Sequence, residues 1–141
     1  MAIGSWAVQA AIYDLLLTAG IVGRRIFDAD AVPPDVVFPY IAIGATEAIG
    51  ADVIGRDGSN EFLPLHIWDR ANREGGQRGG RNVGLIGDEL HSLLNAKRLE
   101  VEGRDWAFCI VRDFLRTPDP DPLTTHAVLT LRVQHFGPRL V

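Results

Sequence analysis

The chain has little with which to staple itself, cross a membrane or hold nucleic acid. Its single cysteine, Cys109, cannot form an internal disulfide. It lies in an apolar stretch that reads as a strand, so it is expected to be a small buried side chain in a reducing compartment. No apolar run approaches the ~20 residues a membrane helix needs, and the opening Met-Ala-Ile-Gly-Ser-Trp lacks the basic region and long apolar stretch of a secretion signal. A soluble protein made in the cytoplasm, without membrane contact, is the expectation. Basic residues are not in excess either: 14 Lys and Arg against 18 Asp and Glu leave a net charge of −4. That balance argues against an autonomous nucleic-acid binder. Basic charge gathers only locally, where Arg70, Arg73, Arg78 and Arg81 crowd a glycine-rich segment. This reads as a solvated loop, or one paired with a partner subunit, in preference to a phosphate reader.

Catalytic markers are equally thin. Gly75-Gly76-Gln77-Arg78-Gly79-Gly80-Arg81-Asn82 has the glycine frame of a phosphate-binding loop, but Arg81 and Asn82 stand where that chemistry needs Lys for the terminal phosphates and Ser or Thr for magnesium. His66, His91, His126 and His135 are scattered along the chain, without helical ligand spacing, and one cysteine cannot build a thiolate site. They are read as surface or hydrogen-bonded core histidines. No serine sits in a nucleophile elbow, and Asp119 and Asp121, separated by proline, mark a turn. The sequence nominates no catalytic residue, no metal ligand and no cofactor, and the chain is not expected to be an enzyme.

What the sequence does have is the means to build a core. With 47% hydrophobic residues in 141, it has the makeup of one domain spanning 1–141. Val8, Ile12, Leu15, Leu16 and Ala19 recur at helical spacing after a capping Ser5, and Gly20 stops the run. After a connector holding Pro33 and Pro34, a strand is expected from Pro39 to about Glu47. A second follows from about Asn60 to Asp69, with Leu63, Leu65 and Ile67 on one side and Phe62, Pro64, His66 and Trp68 on the other. Pro64 donates no backbone hydrogen bond, so it marks an edge strand or a bulge. A second helix spans about Gly80 to Ala96, burying Val83, Ile86, Leu90, Leu93 and Leu94. Its Gly84 and Gly87 cast doubt on the helix start or mark close packing on the sheet. Leu99–Glu102 and Asp105–Arg116 read as a hairpin, followed by a Pro/Asp connector and a last strand containing Ala127, Leu129, Leu131 and Val133. The order α-β-β-α-β-β-β gives an α+β domain, a mostly antiparallel sheet covered on one face by two helices.

The order and spacing of these pieces carry a resemblance that covers nearly the whole chain. An opening helix leads to Gly23-Arg24-Arg25-Ile26-Phe27, then to Phe38-Pro39-Tyr40-Ile41-Ala42-Ile43-Gly44 and to Leu65-His66-Ile67-Trp68. Leu90-His91-Ser92-Leu93-Leu94, Leu99-Glu100-Val101-Glu102-Gly103 and Arg112-Asp113 complete the series. Together they resemble the tail-completion, or tail-terminator, family of long-tailed bacteriophages and gene transfer agents. The resemblance implies a structural virion protein at the head-proximal end of the tail, assembled in the host cytoplasm. It implies a homo-hexameric ring that caps the tail tube protein, ends its polymerisation and docks the head–tail connector, with DNA passing through the lumen without sequence-specific binding. An acidic subunit suits such a lumen, since basic walls would hold phosphates.

Two kinds of surface are candidates for these contacts. The loop Gly50–Ser59, carrying Gly50, Asp52, Ile54, Arg56 and Asp57, is expected to be a long, flexible hairpin tip; the segment Arg70, Arg73, Arg78 and Arg81 is the second candidate. The aromatic face of Tyr40, Phe62, His66 and Trp68 is a candidate interface unless loops or the C-terminal tail cover it. The competing reading is a different binding module: an adaptor elsewhere at the head–tail joint, or a small protein-interaction domain outside phages.

Overall fold

The computed structural model describes residues 5–71 and 79–139. Helix α1 (Ser5–Ala19) is followed by the strands β1 (Ile26–Asp28), β2 (Tyr40–Ile43), β3 (Glu47–Gly50) and β4 (Gly58–Arg70). Helix α2 (Gly79–Leu94) then leads to β5 (Lys97–Arg98), β6 (Trp106–Thr117) and β7 (Thr124–Phe136). The α+β class and the mostly antiparallel sheet stand as expected, with two more strands in the first half than the sequence showed. The order across the sheet is β1-β2-β4-β7-β6-β5, with β3 also paired to β4.

One core fills the space between the helices and one face of the sheet. Val8, Ile12 and Leu16 of α1 and Val83, Leu90 and Leu94 of α2 are fully buried against Leu63, Leu65 and Ile67 of β4 and Ala127, Leu129, Leu131 and Val133 of β7. Burying each such aliphatic side chain contributes about 1.5–3 kcal/mol relative to leaving it in water. Helix α1 ends at Gly20, whose φ of +69° few side chains tolerate.

The sheet departs from the expected strands in three places, each with a local cause. The strand read from Pro39 to Glu47 breaks in two: Ile43 lies beside Leu65 and Glu47 beside Phe62, so Gly44–Thr46 form an excess of chain opposite β4. Pro64 explains the break. Its carbonyl accepts the Gly44 N–H at 2.9 Å, so its own nitrogen, which carries no hydrogen, faces the same gap. Gly44 is needed there, because a Cβ would stand 2.9 Å from the Pro64 ring and 3.0 Å from His66. Pro64 thus marks an interruption beside a central strand, not an edge.

The hairpin read at Leu99–Glu102 is displaced. Only Lys97 and Arg98 pair with β6, opposite Cys109 and Phe108, while Leu99 and Val101 are buried just past the ladder. Strand β1 went unread because three residues carry no period; it runs parallel to β2.

Helix α2 ends two residues earlier than expected, and Ala96 turns the chain at a φ of +53°. Its glycines do mark close packing. A Cβ on Gly87 would lie 2.7 Å from the Phe114 ring, and Arg116 donates to the Gly80 carbonyl at 2.6 Å.

Candidate interaction surfaces

With both helices on one face, every second residue of the long strands points the other way. Tyr40, Phe62, His66 and Trp68 all lie half-buried on that second face, across from Ala42, His126, Val128 and Arg132 of their neighbours. They stack instead of standing alone. Trp68 lies 3.7 Å from His126, centroid to centroid, with the rings within 4° of parallel, and Tyr40 stacks beyond it at 6.4 Å. Phe38 and Phe27 pack on Tyr40, and the Arg70 guanidinium sits 4.7 Å over Phe38. Arg112 covers Phe62 in the same way at 5.0 Å. A separate aromatic group, Trp106, Phe108 and Phe136, occupies the far end, capped by Arg98 and Arg56.

The register joins two histidines that the sequence left apart: Nδ1 of His66 and Nε2 of His126 are 2.8 Å apart. One nitrogen must donate and the other accept, so the pair cannot be fully protonated without losing this bond. Burial holds both rings below the ordinary histidine value, and for His126 the charge on His66 acts the same way. Among the described residues no group of three or more His, Cys, Asp or Glu could hold a metal ion. Burial also pushes the Tyr40 hydroxyl up, against the opposing pull of Arg70.

A second polar chain runs through the end of the sheet. Arg104, with its side chain 3% exposed, donates from Nε to Nδ1 of His135 at 2.8 Å and from Nη1 to Asp57 at 2.8 Å. Since Arg Nε can only donate, Nδ1 of His135 bears the lone pair, and Nε2 carries the proton towards Glu61 at 3.4 Å. His135 and Glu61 are both fully buried. Burial is the main cause holding His135 below its usual value, and Arg104 holds Asp57 below the usual carboxylate range by its hydrogen bond. His135 is thus a hydrogen-bonded core histidine; Glu61 had not been singled out, although alternation places it on the same side of β4 as Leu63 and Leu65.

This chain ties down the first candidate loop. Between β3 and β4 the loop is Ala51–Asp57, shorter than the expected Gly50–Ser59 because Gly50 and Ser59 pair within the sheet. Asp52 accepts from the Gly58 N–H at 2.8 Å, Arg56 donates to the Gly137 carbonyl at 3.0 Å and pairs with Asp105 at 3.3 Å, and Asp57 holds Arg104. The picture is a braced turn with a fully exposed Ile54 at its tip, not a slack one.

Of the second candidate segment, Arg73 and Arg78 lie outside the described residues. Arg70 pairs with Asp121 at 3.5 Å, and Arg81 is exposed on the first turn of α2. Asn82, read against the magnesium position of a phosphate loop, is buried and donates to Asp69 at 3.0 Å, so it serves the fold.

Two apolar grooves open at opposite sides of the helix-covered face. One, between α1 and β1, is lined by Trp6, Tyr13, Phe27 and Asp28. The other, of about 450 Å³ between α2 and β6, is lined by Arg81, Leu85, Asp88, His91 and Phe114. No described helix is long and apolar enough to cross a membrane.

Comparisons with known proteins bear on the fold and the family. A solved structure described as the virion of a native gene transfer agent particle contains a chain of the same fold, with a TM-score of 0.78 and 18% identity; the match covers 94% of this chain and 97% of that one. No curated protein sequence matches the chain. The family model described as Tail completion protein gp17 matches residues 9–135, all but a few residues at either end. The chain therefore belongs to the tail completion protein gp17 family, and is a structural tail protein of the virion.

Proposed function

We propose that this protein forms a closed, six-membered ring at the head-proximal end of the tail, where it caps the tube, ends its polymerisation and joins the tail to the head connector. The observation that carries this reading is the match to the tail-completion family over residues 9–135. The likeness in fold to a chain of a gene transfer agent virion supports the same setting. The surface suits a subunit that works by contact. Trp6, Leu85, Leu115 and Ile54 are 77%, 47%, 65% and 104% exposed, which leaves apolar side chains available to neighbours on both sides of the sheet and at the loop tip. A ring built by rotation uses two different patches of each subunit, and the sheet offers two different edges.

The braced loop Ala51–Asp57, with Asp52, Ile54, Arg56 and Asp57, is assigned to docking along the tail axis, and so is the Arg70–Arg81 segment. A preordered loop loses less conformational entropy on docking than a slack one, which otherwise costs about 1–2 kcal/mol per residue. The stacked face of Tyr40, Phe62, His66 and Trp68 is assigned to a protein neighbour, and DNA is taken to pass the ring without base-specific contact.

The test is deletion of the gene from the producing phage or particle, followed by negative-stain electron microscopy. Unjoined heads beside tails of uncontrolled length are expected. Normal joined particles would overturn the assignment.

A further inference from the structure

We infer that the subunits of the ring meet edge to edge, with the α1/β1 side of one copy against the β6 side and the α2/β6 groove of the next. This inference rests on the ring reading above and names the contact that closes it. It starts from the two ends of the sheet. Among the described residues, strand β1 is paired on its β2 side alone. Strand β6 is covered on its outer side by β5 at Phe108 and Cys109, and among the described residues no strand lies beyond the stretch from Asp113 to Thr117. Such edges carry unpaired backbone groups and are usually blunted or used.

The two free edges lie at the same height. Phe27 is beside Ala42, Ala42 beside His66, His66 beside Val128, and Val128 beside Leu115. In the same way Ile26 is level with Arg116, and Asp28 with Phe114. The third outer edge, β3, stands elsewhere. Ile49 is level with Asn60, Gln134 and Phe108, the position where Arg98 of β5 already covers β6.

Direction agrees as well. Strand β1 runs parallel to β2, and β2, β4, β7 and β6 alternate, so β1 and β6 run in opposite senses. Copies related by rotation alone, about an axis near the strand direction, bring β1 antiparallel to the next copy's β6 without any flip. Phe27 then meets Leu115 on the aromatic face, the opposite-residue contact that stabilises antiparallel pairs.

The side chains flanking the edges complement one another. On one side Asp14, Asp28 and Asp30 are exposed beside Trp6, at 77% exposure, and Tyr13, at 37%. On the other, Arg81, Asp88 and His91 line a groove floored by Phe114 and Leu85, and Arg116, which donates to the Gly80 carbonyl, and Asp113 stand along the β6 edge beside it. Aromatic knobs thus face an apolar furrow, and Asp28, level with Phe114, comes one pair away from Arg116. With a β1 of three residues, these flanking contacts supply most of the contact area.

The test uses paired cysteines in assembled particles. Phe27→Cys and Leu115→Cys together should cross-link neighbours under a mild oxidant such as diamide, because directly opposed residues in antiparallel strands lie about 4.5–5.5 Å apart, within disulfide reach. Tails purified from producing cells are oxidised and run unreduced, and the protein's copy number per particle is measured on the same preparation. A ladder rising to six, absent from either single variant, is expected. Six copies per tail without a ladder, or a ladder only from Ile49→Cys with Leu115→Cys, overturns the edge assignment and leaves the ring standing. A copy number incompatible with a ring overturns both. Should Phe27→Cys fold poorly, a charge exchange gives the second reading. Asp28→Arg and Arg116→Asp are each expected to block tail completion, and together to restore it at least tenfold over either alone; failure of the double variant to rescue refutes the contact.

Discussion

Replacing Arg104 with Met removes every polar bond of that side chain while keeping most of its aliphatic bulk. Three groups lose their donor: Nδ1 of His135, the Asp57 carboxylate and the Asp57 carbonyl. The first loss dominates, because His135 is fully buried, whereas the Asp57 side chain is 27% exposed and can turn to water. An orphaned buried acceptor costs about 1–3 kcal/mol. For a domain of this size about 1 kcal/mol lowers Tm by roughly 3–4 °C, so Arg104→Met should melt about 3–12 °C below the parent in circular dichroism. Arg104→Lys should fall between, since an ammonium cannot reproduce the two-pronged donation to His135 and Asp57. Asp57→Asn should cost less than Arg104→Met, because it leaves the His135 bond in place. A melt within 1 °C of the parent for Arg104→Met, or a larger loss for Asp57→Asn, would show that the buried imidazole is not the group that matters.

Gly58→Ala places a Cβ 2.5 Å from the Ala51 carbonyl and 2.6 Å from the Phe136 ring; overpacking of that kind costs about 1–3 kcal/mol, whereas Gly50→Ala, with nothing near, should be neutral within about 0.5 kcal/mol. Equal urea midpoints for the two would refute the crowding. His66, His126 and His135 are all held below the ordinary value, so the unfolded chain binds more protons once the pH drops beneath about 6.5. Stability from these groups is therefore complete above that pH and lost as pH falls through their folded-state values; Asp57 and Asp121, both depressed, add a further loss only beneath about 3.9. Melting temperatures should hold from pH 8 to 7 and decline between 6.5 and 5, and a maximum below pH 6 would contradict this. Cys109 is buried, with its thiol pushed up to about 12, so it should resist Ellman's reagent in the native protein and react stoichiometrically in denaturant; fast native labelling would place it at the surface.

The parts of the fold legible in the sequence were those with a period. Val8, Ile12 and Leu16 announced α1, Val83, Leu90 and Leu94 announced α2, and Leu63, Leu65 and Ile67 fixed the inward side of β4; all nine are fully buried. Gly84 and Gly87 read as weakness or close packing, and Phe114 against Gly87 decides for packing. What stayed hidden depends on chain partners distant in sequence. Nothing local to His66 indicates His126, because the contact follows from how β4 registers on β7. Glu61 and His135 stand where alternation predicts burial, yet two charged or chargeable groups in such positions are only tolerable once Arg104 and each other are known to be there. The loop before β4 looked slack because glycines at 50, 55 and 58 suggested it, while its braces come from residues 104, 105 and 137.

The irregularity at Arg112 decides the chemistry of the outer strand. Val111 sits beside Leu131 and Asp113 beside Thr130, so one residue is left over between them. Before that point β6 turns Ala107, Cys109 and Val111 towards the helices; after it, Phe114 and Arg116 take those places. Deleting Arg112 would leave Asp113 beside Thr130 and every later side chain on its present side, whereas pairing the full sequence without the bulge would exchange the two sides from there onward. Asp113 would then be driven against Leu129 and Leu115 under α2, while Phe114 and Arg116 would swing to the aromatic side. One inserted residue thus lets a continuous strand serve as core wall along its first half and as a shaped, charged rim along its second.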